Sequence, residues 1–304
     1  MELDLEELMI LRAARETGVL DALMTDAHTP EEVAESTPVT KRSARIIVDA
    51  LADMGFLTQL QSGYEPTDPS IGFLATRDIR SIGSLSHRLN CLENWIALPE
   101  TLCGEEPPVA VQDRVRHFQG AIASIDESTV RAFVTEAIHA HPQPDRVLDV
   151  GGGPGRFSKE FARRGSAVTL FDRPRSIEIV EPLLERTTVE LVPGDALDSL
   201  PREFDLVFCS RLAHAFDSEE NRRLLANVAD ALEPGGTVVH VDYVRGRSDR
   251  ASIFGAHMLA QTTGGNTYTG DEFETWLTDA GFDGVEIRDV PGTAYQAIVG
   301  HRPE

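Results

Sequence analysis

From Arg146 onward, short apolar runs alternate with helix-like segments: RVLDV, AVTLFD, VELVPGD, FDLVFCS and TVVHVDYV. Few arrangements satisfy that rhythm. It specifies an α/β fold built on a Rossmann-like, doubly wound parallel sheet, whose ligands bind at the carboxyl ends of the strands.

The first strand runs into VLDVGGGPGRFSKEFARRG, residues 147–165, where an apolar run ends in glycines and then becomes a charged helix. Glycine lets the backbone N–H groups and a helix N-terminus approach a ligand closely. A dinucleotide loop needs G-x-G-x-x-G, whereas this one has Gly151, Gly153 and Gly155, with Arg156 where the last dinucleotide glycine would stand. The spacing disfavours NAD. A glycine turn can also follow a strand for steric reasons alone, so the acids around it matter. Asp149, Asp172 and Asp195 close three successive strands. Singly, each is as easily a turn residue; together they suit a ligand with an adenosine and a charged amino acid.

His214 follows the fourth strand, and Asp242 lies near the end of the next. If these strands are parallel neighbours, about 4.8 Å apart, both side chains emerge at the same edge and can meet. An imidazole oriented by a carboxylate can deprotonate a phenol, whose pKa near 10 otherwise keeps its proton on at neutral pH. Without such context a histidine after a strand is more often a loop or core residue, which is the reading for His240.

Upstream, residues 5 to 24 carry leucines largely at helical spacing. Thr29 with Pro30, and Thr40, are N-cap signals for two more helices, the second ending at Gly55. FLTQLQSGYEPT then reads as a hairpin wing, so that three helices and a wing form an N-terminal all-α winged-helix module over residues 1–68. Residues 70 to 143 read as helices broken at Pro107 and Pro108. The expected domains are 1–68, a helical substrate cap over 69–140, and the sheet domain over 141–304.

Composition limits the partners. The 304 residues carry a formal charge of −22, and positive charge is almost all arginine, since only Lys41 and Lys159 are lysines. Such a surface repels nucleic acid and anionic membranes and suits a salt-adapted cytoplasm. The start of the chain is acidic where a signal peptide would be basic, and no apolar stretch approaches the roughly 20 residues that span a bilayer, so a cytoplasmic protein is expected. Cys91, Cys103 and Cys209 show no paired spacing and are expected as reduced core residues, with no metal site.

RVLDVGGGPG, LFDRP, VPGDAL, FCSRLAHAF and ALEPGG, with GVLDAL, DALADMGFL and LPETLCGEEPP upstream, occur in an order that resembles class I S-adenosylmethionine-dependent methyltransferases. More narrowly, the chain is similar to plant- and bacterial-type O-methyltransferases with an N-terminal winged-helix dimerisation domain. The resemblance implies a homodimer that uses S-adenosylmethionine. Gly151 would contact the methionine end, Asp172 the ribose, and Asp195 with Ala196 the adenine; Asp149, Gly153, Gly155 and Arg173 would also bind the cofactor, and Ser210 and Arg211 match the bacterial cofactor pattern. His214 would be the general base and Asp242 its support. Trp95, Phe118, Ile122, His257, Met258 and Thr262 would line the pocket for a small hydroxylated aromatic or polyketide-like acceptor. Two departures stand out: Thr267 where the family commonly has a second glutamate, and Phe216 where it has tryptophan. They leave open carbon, nitrogen or sulfur as the acceptor atom, with transfer by proximity. A cofactor-sensing DNA-binding regulator is the non-enzymatic alternative, against which the acidic balance speaks.

Overall fold

The computed structural model describes residues 3–68, 70, 83–107 and 114–304. The chain divides into two compact units, one within residues 1–93 and 110–124, the other within 94–109 and 125–304.

The first unit starts with α1 (Leu5–Glu16), α2 (Val19–Thr25), α3 (Pro30–Ser36) and α4 (Lys41–Asp53), followed by the antiparallel hairpin β1 (Leu57–Leu60) and β2 (Gly63–Pro66). The leucines of residues 5 to 24 belong to two helices, because Gly18, at φ 77°, turns the chain between them. Four helices therefore precede the hairpin where the spacing suggested three. Asp4 and Thr29 each close a capping box, and Thr40 accepts the Ser43 N–H. These caps satisfy N–H groups that a first helical turn leaves bare. Leu11, Val33, Val48, Leu51 and Phe56 form the fully buried centre of this unit.

Helix α5 (Ser84–Ile96) gives way to α6 (Leu98–Leu102). Pro99 lies in the first turn of α6, and its missing N–H and its ring end the longer helix before it. Helix α7 (Arg114–Ala123) completes the first unit. Pro108, read as a breaker, lies outside the described residues.

The second unit is a seven-stranded sheet with helices on both faces. Helix α8 (Glu127–Ala140) leads into β3 (Arg146–Val150), α9 (Arg156–Arg163), β4 (Ala167–Asp172), α10 (Pro174–Leu184), β5 (Glu190–Pro193) and β6 (Phe204–Ser210). Then follow α11 (Ser218–Ala231), β7 (Leu232–Asp242), β8 (Val244–Arg245), α12 (Ala251–Gln261), β9 (Tyr268–Thr269), α13 (Gly270–Asp279), β10 (Asp283–Asp289) and β11 (Gln296–His301). The order is β10-β11-β7-β6-β3-β4-β5. The five strands from β7 to β5 are parallel, while β11 enters antiparallel beside β7 and pairs antiparallel with β10. The sheet is thus mixed, where alternation alone suggested parallel strands. Side chains alternate between two cores: Leu148, Val150, Val207 and Val238 meet α11 and α13, whereas Val147, Leu206, Phe208 and Val239 meet α8, α9 and α10.

None of the three cysteines is in a disulfide. Cys91 and Cys209 are buried, and burial raises both thiols, Cys91 to about 11. Cys103 is exposed just after the short α6, which corrects its expected place in a core.

Candidate active site

The glycine loop is shaped from within. Gly151, Gly153 and Gly155 have φ of 67°, 52° and 69°, conformations that disfavour any side chain. Gly152 has an ordinary φ, yet a Cβ there would lie 2.8 Å from both Asp149 Oδ2 and Leu170 Cγ. It is a steric requirement that the spacing did not single out. Asp149 is 1% exposed, and Ser158 donates its hydroxyl to Asp149 Oδ2 at 2.5 Å while Oδ1 is buried without a partner. Burial is the main reason its pKa rises to about 7; the neighbouring Asp172 charge adds to it, and the Ser158 hydrogen bonds oppose it. Ser158, nine residues on and inside a helix, had no sequence signal.

At the next strand end, Asp172 Oδ2 accepts the Gly153 N–H at 2.9 Å and Oδ1 accepts the Arg173 N–H at 2.7 Å. A carboxylate accepts at about four positions, so a fixed acceptor face remains for ligand hydroxyls. Burial raises its pKa. The Arg173 backbone thus orients Asp172. Asp195 holds a turn by accepting the Leu197 N–H at 2.9 Å, and the Ala196 carbonyl accepts from Asn227 at 2.8 Å. Gly194 lets this turn lie against Phe171, whose Cζ would be 2.4 Å from an added Cβ.

Ser210 and Arg211 close β6. Ser210 Oγ and Arg211 Nε are buried without partners, and Arg211 sits at φ 54°, an unusual conformation for a residue with a Cβ. The register pairs Ser210 with Val241, which brings the strand ends together. His214, in a single 3-10 turn (Ala213–Ala215), places Nδ1 2.8 Å from Asp242 Oδ1 and 3.1 Å from Oδ2. Their side chains are 12% and 3% exposed. The carboxylate is held in turn: the Tyr243 N–H donates to Oδ1 at 2.8 Å and the His214 N–H to Oδ2 at 3.3 Å. Phe254 meets the imidazole edge-on, with ring centres 4.8 Å apart. Behind the histidine, the Asn266 N–H donates to the His214 carbonyl, and a Cβ on Gly265 would lie 2.6 Å from that oxygen.

Thr267 is 2% exposed and donates its hydroxyl to the Ala251 carbonyl at 3.0 Å. It anchors the start of α12. Phe216 is buried, and its carbonyl accepts from Tyr268 Oη at 2.6 Å. His240 lies in β7 at 1% exposure, and burial lowers its pKa to about 4.

Of the expected pocket residues, Trp95 and His257 approach with ring centres 5.8 Å apart. Met258 is buried, and Thr262 donates to its carbonyl at 2.8 Å. Phe118 and Ile122 belong to the first unit, where Phe118 meets His87 edge-on. The spacing missed Phe254, three residues before His257 on the same helix, together with Tyr243, which meets Phe254 edge-on at 4.9 Å. The i, i+3 relation of Phe254 to His257 was the available signal for the first.

Glycine cradle, three strand-end acids and the His–Asp pair lie along the carboxyl edge of one sheet, and the sequence profile of the methyltransferase-domain family matches residues 122–287. That is more than half of the chain, which therefore belongs to the methyltransferase-domain family. A 3-hydroxy-5-methyl-1-naphthoate 3-O-methyltransferase of Streptomyces sahachiroi is 28% identical over 304 aligned positions, covering 92% of this chain and 86% of its own. In fold, the chain is similar to human N-acetylserotonin methyltransferase in complex with SAM, at TM-score 0.68 and 20% identity over 98% of this chain and 94% of the other. It is similar as well to PigF with SAH, at TM-score 0.76 and 20% identity over 98% and 96%. Among the described residues no helix is long and apolar enough to cross a membrane.

Proposed function

We propose that this enzyme transfers a methyl group from S-adenosylmethionine to a hydroxyl of a small aromatic or polyketide-like molecule, with His214 removing the acceptor proton. The observation that carries this reading is the 2.8 Å contact between His214 Nδ1 and Asp242 Oδ1 at the sheet edge that holds the glycine loop. The carboxylate can only accept, so Nδ1 carries the hydrogen and Nε2 is the nitrogen that takes a proton from the acceptor. Asp242, fixed by two backbone N–H groups, orients the ring and favours the imidazolium that forms. The naphthoate enzyme of S. sahachiroi supports an aromatic hydroxyl as the acceptor.

The residues fit the cofactor. The buried, unpartnered Ser210 Oγ, Arg211 Nε and Asp149 Oδ1 are polar atoms that a ligand would satisfy, and Asp172 keeps acceptor positions for ribose hydroxyls. Asp149, Gly151, Gly153 and Gly155 would face the methionine end, Arg173 would hold Asp172, and Asp195 with Ala196 would face the adenine. When bound, S-adenosylmethionine supplies an activated methyl group whose departure leaves a neutral thioether. Trp95, His257, Met258 and Thr262 are the proposed acceptor contacts within the second unit.

The helices and hairpin of the first unit support a winged-helix dimerisation module over 1–68, followed by a cap over 69–140 and the catalytic domain over 141–304. A homodimer in a salt-adapted cytoplasm completes the reading. Thr267, turned to a backbone carbonyl, favours one competing reading: transfer to carbon, nitrogen or sulfur by alignment alone. Calorimetry tests the cofactor. S-adenosylmethionine and S-adenosylhomocysteine should bind with micromolar-order affinity, and Asp172→Ala should weaken both; NAD binding without S-adenosylmethionine binding would overturn the assignment.

A further inference from the structure

The turn that carries His214 has little to hold it from within. It is a single 3-10 turn (Ala213–Ala215), closed by the Ala215 N–H on the Leu212 carbonyl at 3.0 Å and the Phe216 N–H on the Ala213 carbonyl at 3.2 Å. Hydrogen-bond geometry in so short a turn is poor, and its own bonds fix a side chain's direction only loosely. Its carbonyls are held from outside instead. Asn221 donates to the Ala213 carbonyl at 2.9 Å, the Asn266 N–H to the His214 carbonyl at 3.0 Å, and Tyr268 Oη to the Phe216 carbonyl at 2.6 Å.

Two of these three holds come from the segment that follows α12. Thr262 caps the end of that helix: its hydroxyl donates to the Met258 carbonyl at 2.8 Å and accepts the Gly265 N–H at 2.8 Å, so its one hydrogen and one of its lone pairs are used within the chain. The bend brings Gly265 close against the histidine. A Cβ added there would lie 2.4 Å from Thr262 Oγ1 and 2.6 Å from the His214 carbonyl oxygen. Thr267, farther on, returns to the start of the same helix through its bond to the Ala251 carbonyl at 3.0 Å. That helix also sets Phe254 edge-on against the imidazole at 4.8 Å. Helix α12 therefore acts on His214 twice, directly on its ring and through the loop on its backbone.

We infer that Thr262 and Gly265 are positioning residues that set the His214 imidazole against Asp242, an inference that rests on the reading of His214 as the base. Thr262 fixes the bend of the loop. Gly265 lets the loop close on the His214 carbonyl, and that carbonyl anchors the turn from which Nδ1 reaches Asp242 Oδ1 at 2.8 Å. Misplacing a catalytic group by about 1 Å can cost about a hundredfold in rate, so a small shift of the turn suffices. This role of Thr262 is separate from its proposed contact with the acceptor, and one experiment distinguishes them.

The test is nuclear magnetic resonance on the full chain, isotope-labelled in the nitrogens of its histidine rings, whose shifts tell which nitrogen of a neutral imidazole carries the hydrogen. The His214 signals are those missing from His214→Ala. In the unmodified protein the hydrogen should sit on Nδ1, facing Asp242. Gly265→Ala and Thr262→Val should each mix in the Nε2–H form and lower kcat about ten- to a hundredfold, with S-adenosylhomocysteine affinity unchanged. Thr262→Ser, which keeps the hydroxyl, should restore both readouts. If Gly265→Ala does not fold, the two Thr262 variants decide. An Nδ1–H signal unchanged in the folded variants overturns the inference, and a fall in kcat beside it would mean that Thr262 acts through the acceptor alone. The ring signals are read without acceptor, so absence of methyl transfer by the unmodified enzyme would sink the functional reading and leave this result standing.

Discussion

His214 and Asp242 show how a single pair depends on its supports. The 28-residue spacing made their meeting foreseeable, because parallel neighbours end at one edge. What it could not reveal was Phe254 against the ring or the backbone N–H groups on the carboxylate, since both depend on how loops return after β7. Thr267 illustrates the same limit: only the structure places its hydroxyl on Ala251 O. Asp149 carries a measurable consequence. Its folded pKa, about 7, lies above the ordinary 3.8 of the unfolded chain. Below about pH 4 both states hold the proton, so Asp149 opposes folding least there; between about 4 and 7 the unfolded chain releases it first, and stability falls as pH rises. Asp149→Asn removes that term. Denaturant melts should show the stability of the variant, relative to the unmodified protein, rising by a few kcal/mol from pH 4 to 7.5; a constant difference would mean that Asp149 ionises normally.

Among the elements, the apolar strands were legible because buried parallel strands are nearly continuous in valine, leucine and phenylalanine. Helix starts were legible at Thr29 and Thr40 through their caps. Boundaries set by single residues were less so: Gly18 divides one leucine pattern into α1 and α2, and Pro99 divides α5 from α6. The antiparallel β11 escaped because period and composition do not carry strand direction. The loop from β3 to α9 depends on Gly152 for space. Gly152→Ala should force Leu170 or Asp149 aside and cost about 1–3 kcal/mol of stability, read by chemical denaturation, together with weaker S-adenosylmethionine binding. Unchanged stability and affinity would show that the loop gives way freely.

For the whole molecule, the chain forms two compact units, residues 1–93 with 110–124 and residues 94–109 with 125–304. Exposed apolar residues remain on the N-terminal helices: Leu5 at 62%, Met9 at 38% and Ile46 at 52%. Apolar groups so placed suit the proposed isologous dimer, which light scattering should find at both low and high salt; a monomer in both would remove the dimer. The central claim concerns chemistry and is tested most directly by following a labelled methyl group. Incubated with methyl-labelled S-adenosylmethionine and a panel of hydroxylated aromatic acceptors, the unmodified enzyme should place the label on an acceptor oxygen. His214→Ala should lower kcat by about 10² to 10⁴ with cofactor affinity nearly unchanged. Label on carbon, nitrogen or sulfur, or a His214→Ala variant that keeps most of its kcat, would contradict proton abstraction by His214.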